Sequence, residues 1–225
     1  MNMQRFATAI IISIATLNSL SAVGQMARFD SRSGSKVRIE GTSSVHDWQV
    51  EGKLIGGHVE AGPNFPTEPG QTVQPGKVDA KVEAFIPVRS LLSIEKDGKP
   101  YKAAMDDRMY EKLKSDTNPK IFYYLNELVL TEPAKSKDAP YIFEAKGDLV
   151  VAGATNKISM PVSVLPLGDK KLKISGKTNA KMTDFGIQPV ALNIGPLAIK
   201  TGDEVKLSFD WMLAQKPPAA AATNQ

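Results

Sequence analysis

Residues 141–165 read YIFEAKGDLVVAGATNKISMPVSVL, and the alternation in this stretch decides the fold. Tyr141, Phe143, Ala145, Gly147, Leu149 and Val151 share one face of an extended chain, and Ile142, Glu144, Lys146, Asp148 and Val150 share the other. The Gly-Ala-Thr-Asn-Lys segment at 153–157 predicts the turn. Beyond it, Ile158, Met160, Val162 and Val164 alternate with Lys157, Ser159, Pro161 and Ser163. The whole predicts a β-hairpin with one apolar face.

The same pattern recurs on both sides. Upstream, Val37 and Ile39 alternate with Lys36, Arg38 and Glu40, and Trp48, Val50 and Leu54 share parity in a second strand. Gly56-Gly57 predicts a bulge or bend before His58-Val59. Residues 61–77, rich in proline and glycine, predict a long loop. Val78, Ala80, Val82, Ala84 and Ile86 then share one parity against the charged Asp79, Lys81 and Glu83, and Ile121, Tyr123 and Leu125 open another strand. Downstream, Leu172, Ile174, Gly176, Thr178 and Ala180 form one strand, and Val205, Leu207, Phe209, Trp211 and Leu213 form the last. The segment 101–117 differs, because Met105, Met109 and Leu113 recur every four residues among charges. It predicts one amphipathic helix, ended by Asn118-Pro119.

Eight or nine one-sided strands without a βαβ rhythm argue against a parallel sheet. They must hide their apolar faces, and the solution predicted is all-β: a closed antiparallel barrel of about eight strands with the helix covering an end or side. Such a barrel is wide enough to hold one small ligand.

The N-terminus predicts export. An apolar run from Phe6 to Leu17 is too short to cross a bilayer, which takes ~20 residues. Ala22 and Gly24 supply small residues for a signal peptidase, so 1–24 is expected to be a cleaved signal peptide, 25–215 the barrel domain and 216–225 a disordered tail. The chain contains no cysteine, which excludes disulfides, thiolate metal sites and a cysteine nucleophile. An exported chain without disulfides fits a bacterial periplasm or exterior. The net charge of +4 is spread over strands and loops, and it argues against a nucleic-acid partner and against stable membrane insertion.

Three motifs in order are similar to the YceI-like family. These are Asn118-Pro119-Lys120-Ile121-Phe122-Tyr123 after the helix, the run Gly147 to Lys157 in the hairpin, and Thr183-Asp184-Phe185-Gly186-Ile187 before the last strand. The run Gly41 to Trp48 resembles a divergent branch. The resemblance implies a lipocalin-like barrel and a role in carrying polyisoprenoid chains and related amphiphiles.

Catalytic signals are sparse. His46 and His58 are the only histidines. They would lie ~40 Å apart on one continuous strand. Asp184-Phe185-Gly186 lacks the other kinase motifs, and no Gly-x-Ser-x-Gly elbow occurs. No metal or cofactor site is expected. Asp106-Asp107 reads as a solvated helix face. Small residues at Ala80, Ala84, Ala145, Gly147, Gly176 and Ala180 share the inward parity and are expected to leave volume; Met105, Met109, Met160 and Met182 would adapt to an irregular ligand.

The reading is therefore a non-enzymatic carrier of a long apolar chain: isoprenoid, quinone-like or fatty. Its candidate contacts are Trp48, Val82, Ala84 and Ile86 in the first half. From the helix come Met105 and Met109, and from the next strand Ile121 and Tyr123. The hairpin contributes Leu149, Val151, Met160 and Val162. Ile174, Phe185, Phe209 and Trp211 complete the set, with the helix and Phe185 closing the cavity. Two rival readings are an enzyme or stress factor acting on a lipid or quinone, with Tyr123, His46 and Lys181 as its polar groups, and a filled barrel that binds another protein.

Overall fold

The computed structural model describes residues 26–194 and 197–215. The expected signal segment with its cleavage point, the Gly195-Pro196 pair and the tail 216–225 lie outside the described residues.

Among these residues the chain forms thirteen strands and one α-helix. The first half holds β1 (Ala27–Ser31), β2 (Lys36–Ser43), β3 (Trp48–Gly52), β4 (Gly56–Ala61), β5 (Gly76–Lys77), β6 (Ala80–Pro87) and β7 (Leu91–Ile94). Helix α1 (Ala103–Lys112) follows. Then come β8 (Lys120–Glu132), β9 (Tyr141–Val151), β10 (Ala154–Gly168), β11 (Lys171–Lys181), β12 (Ala191–Ile194) and β13 (Leu197–Gln215). Eight of them, β1-β4-β6-β8-β9-β10-β11-β13, pair antiparallel in that order, and β1 pairs back onto β13 to close a barrel. Closure removes the exposed edges that an open sheet of this length would present. β13 is long enough to serve two neighbours on one side: its end pairs with β1, and its earlier part pairs with β2, which carries β3 and β7 as a flap beyond the barrel.

The 141–165 hairpin is β9–β10, in continuous register from Val151 opposite Ala154 to Tyr141 opposite Val164. Its turn is tighter than the expected 153–157. Ala152 and Gly153 alone make it, with φ of 51° and 86°. Two successive left-handed residues match the right-handed twist of the flanking strands. Thr155, Asn156 and Lys157 therefore belong to the strand.

The segment 61–77, expected as a long loop, folds back into one barrel end. Phe65 is 2 % exposed and stacks on Phe143 at 6.1 Å, while Val73 and Val78 are buried beside it. The Tyr141 hydroxyl donates to the Gln71 carbonyl and ties the plug to β9. The expected closure by the helix is corrected accordingly. α1 is shorter than 101–117, buries no residue, and lies on the flap strand β7. There Asp106 accepts bonds from the Ser93 N–H and hydroxyl (2.7 and 2.6 Å), and the Tyr110 hydroxyl donates to the Leu91 carbonyl (2.8 Å).

Candidate functional site

Inside the barrel lies a cavity of about 110 Å³. Its wall comes from β6, β8, β9, β10, β11 and β13, with Ile55 and the plug residue Phe65. No residue of the flap β2-β3-β7, of α1 or of the 182–185 turn reaches it. No charged side chain lines it, its surface is almost wholly apolar, and the residues on its border that carry a polar side-chain atom are Tyr123, Thr178 and Trp211.

Eleven of the sixteen candidate residues border this cavity: Val82, Ala84, Ile86, Ile121, Tyr123, Leu149, Met160, Val162, Ile174, Phe209 and Trp211. The other five sit elsewhere. Trp48 is on the flap; its ring lies over Gly41, where a Cβ would come within 2.2 Å of it, and its Nε1 donates to the Thr42 carbonyl at 3.2 Å. Met105 is 38 % exposed on α1, and Met109 packs from the same helix against the core periphery. Val151 ends β9 at the rim, one residue from the turn. Phe185 is buried beyond the cavity, next to a left-handed Gly186 (φ 68°). The helix and Phe185 thus belong to elements that the cavity wall does not include.

Several wall residues escaped the sequence reading. Leu125, Ile158, Val164 and Leu207 share the inward parity of their strands and join the wall beside the candidate residues. Leu128 could not be read from parity, because a register shift between Leu125 and Glu127 reverses the alternation within β8. Ile55 and Phe65 come from loops, which carry no periodic signal. Phe85 and Phe122 also border the cavity, although their rings cluster on the outward parity under the Lys120 ammonium, 4.1 Å from the Phe85 centroid.

The expectation that small residues leave open volume needs a correction. Ala84 and Ala145 do border the void. The glycines instead seat aromatic rings: a Cβ at Gly176 would meet the Phe209 ring at 2.7 Å, and one at Gly147 would meet the Tyr123 ring at 2.6 Å. The missing side chains are filled by rings from the neighbouring strands, a packing device that single-strand parity does not reveal.

Trp211 donates from Nε1 to the Ser31 hydroxyl (2.8 Å), which donates in turn to the Gly57 carbonyl (2.9 Å). The Thr178 hydroxyl has a long contact to the Asn179 carbonyl at 3.4 Å. The Tyr123 hydroxyl is buried and has no hydrogen-bond partner among the described residues. Burial first, and then the carboxylates of Asp148 and Glu144, push its pKa well above the ordinary phenol value. An unpaired buried hydroxyl costs about 1–3 kcal/mol, so its presence in an apolar wall calls for an explanation.

The three polar groups weighed for catalysis are not brought together. His46 is exposed in the β2–β3 turn, edge-on to Tyr101 at 6.1 Å, and Lys181 is exposed at the end of β11, whereas Tyr123 lies inside. His58 faces outward on β4 and pairs with Glu83. Among the described residues no group of three His, Asp or Glu side chains could hold a metal ion.

The fold and this interior define a lipocalin-like antiparallel barrel with an apolar core cavity. The YceI-like domain matches residues 30–213, and the chain belongs to that family. Two solved structures are similar. BcnA of Burkholderia cenocepacia is 16% identical, with 79% of this chain and 95% of that chain covered and a TM-score of 0.55. A polyisoprenoid binding domain from Saccharophagus degradans, implicated in plant cell wall breakdown, is 11% identical, with coverage of 85% and 99% and a TM-score of 0.58. At these identities they show the shared fold. No curated protein matches the sequence.

Proposed function

We propose that this protein is a non-enzymatic binding protein that takes an apolar chain into its barrel, the ligand class being isoprenoid, quinone-like or fatty. The observation that carries this reading is the interior cavity walled by aliphatic and aromatic side chains with no charge on it. Each methylene placed there would contribute ~0.8 kcal/mol without needing a precise polar contact. The structural likeness to the Saccharophagus degradans polyisoprenoid binding domain supports the same ligand class. The volume of about 110 Å³ is below the ~300–1,000 Å³ usual for ligand pockets. A long chain therefore needs the interior to widen, and the wall has a deformable member in Met160. The scattered positions of His46, Lys181 and Tyr123 weigh against the enzyme reading, and the void weighs against a filled barrel.

The same proposal places the protein outside the bacterial cytoplasm, with cleavage after Gly24. Among the described residues no helix is long and apolar enough to cross a membrane. N-terminal sequencing of exported protein is expected to begin at Gln25; an intact Met1 in a membrane fraction would overturn that placement. For the binding role, organic extracts of natively purified protein are to be analysed by mass spectrometry. A co-purifying chain-like molecule is the expected result. A clean extract, together with failure to take up an added long-chain isoprenoid alcohol, would refute the role.

A further inference from the structure

The cavity wall contains one feature that chain binding alone does not require. Phenylalanine at position 123 would fill the same space over Gly147 without a buried unpaired hydroxyl. The ring is held in place, because the absent Cβ of Gly147 is what lets it lie against β9. Its hydroxyl has no partner among the described residues. A water molecule is a poor substitute, since buried waters need 2–4 polar partners and the other two polar side chains of the wall, Thr178 and Trp211, are already in contact with the Asn179 carbonyl and the Ser31 hydroxyl. A ligand that is apolar except for one acceptor atom needs only a single donor. No Lys, Arg or His lines the cavity to neutralise an anion, and the outward carboxylates of Asp148 and Glu144 lie on the strand beneath the ring.

We propose that the Tyr123 hydroxyl reads the polar end of the bound chain, and selects an uncharged amphiphile bearing a hydrogen-bond acceptor, such as an ester, ketone or amide carbonyl, over a carboxylate or phosphate. The inference rests on the carrier reading and names the ligand chemistry of the same cavity. The hydroxyl has almost no surface on the resting void, so the widening that admits the chain is what brings the acceptor atom to the phenol, and the chain beyond it lies against Leu149, Met160 and Val162.

The test uses three probes with the same number of non-hydrogen atoms: methyl undecanoate, tetradecane and dodecanoate. Each is titrated into the wild-type protein and Tyr123→Phe, with calorimetry as the readout. Loss of one hydrogen bond from the apolar interior is expected to weaken methyl undecanoate about five- to tenfold in Tyr123→Phe, while tetradecane is unchanged. Dodecanoate is expected to bind more weakly than the ester in both proteins. In the wild type the infrared carbonyl stretch of the bound ester should shift to the lower frequency of a hydrogen-bonded carbonyl, and the shift should vanish in Tyr123→Phe. Equal ester affinity in the two proteins, or an unshifted carbonyl in the wild type, would overturn the proposal while tetradecane binding leaves the carrier reading standing. If none of the three probes binds the wild type, the carrier reading and this inference fall together.

Discussion

Replacing Ala84 with leucine separates the stability of the barrel from its capacity. Ala84 lies on β6, in register with Gly57 on one side and Tyr123 on the other, and its methyl faces the void. A void of about 110 Å³ costs about 2.6 kcal/mol at ~24 cal/mol per Å³ of cavity volume. Leucine adds three carbon atoms, which recover at most about 2.4 kcal/mol at ~0.8 kcal/mol each. Rotamer strain against a fixed wall takes back part of that gain. The expected net is a gain of about 1–2 kcal/mol, which for a chain of this size raises Tm by about 2–8 °C. Uptake of a long-chain isoprenoid alcohol should fall at least about tenfold, because the added carbons occupy volume the chain requires and repel it by overpacking. Thermal melts and fluorescence titration that follows Trp211 are measured on the same preparation. A lowered Tm would show that the void cannot accept the added atoms. A raised Tm with undiminished uptake would show that chains bind somewhere other than this cavity, and either result would refute the reasoning.

Gly147→Ala should act in the opposite direction. The new methyl would sit 2.3 Å from the Tyr124 carbonyl oxygen and 2.6 Å from the Tyr123 ring. The oxygen belongs to the paired β8 backbone and cannot withdraw without loosening the β8–β9 ladder. A loss of about 1–3 kcal/mol is expected in chemical denaturation, and an unchanged midpoint would contradict the seating of Tyr123 on this glycine. Acid should destabilise the protein through two outer-face carboxyls. Burial tends to raise the pKa of Glu51, but the bonds from Lys36 (2.8 Å) and Arg38 (3.1 Å) outweigh it and hold the value below normal. Asp210 is lowered first by the Ser175 hydroxyl (2.6 Å), then by Lys173, against an opposing effect of burial. For both groups the folded pKa lies below the unfolded one, so their stabilisation is complete above the ordinary carboxylate range and is lost as pH falls through the folded values. Tm should therefore decline from about pH 4.5 downward, and Glu51→Gln should show a shallower decline. Parallel profiles for the two proteins would exclude the Glu51 contribution.

The alternating residues of 141–165, of 78–86 and of 205–213 were enough to determine an all-β chain whose strands each bury one face. That follows from the period of two, which is a property of a single extended strand and is written in its own residues. The barrel followed almost necessarily, because so many one-sided antiparallel strands have few other ways to leave water. Most of the cavity wall was legible for the same reason: Val82, Leu149, Val162 and Phe209 share the apolar parity of their strands, and their neighbours are largely polar.

Tertiary structure decided what periodicity does not encode. The register shift near Asn126 reverses parity within β8 and brings Leu128 inward, and it depends on how β8 meets β9 rather than on either strand alone. The Pro- and Gly-rich segment carries no period, so nothing in it marked Phe65 as the plug that meets Phe143. The helix pattern at Met105 and Met109 was real, but an amphipathic stripe does not name its partner, and the partner is the flap strand β7 rather than the barrel mouth. Glycines that looked like empty volume became seats for Tyr123 and Phe209, because a neighbouring strand's ring fills whatever space a missing side chain leaves. The solitude of the Tyr123 hydroxyl was likewise invisible in the sequence. It depends on what the neighbouring strands place around the ring, and long-range packing alone sets that arrangement.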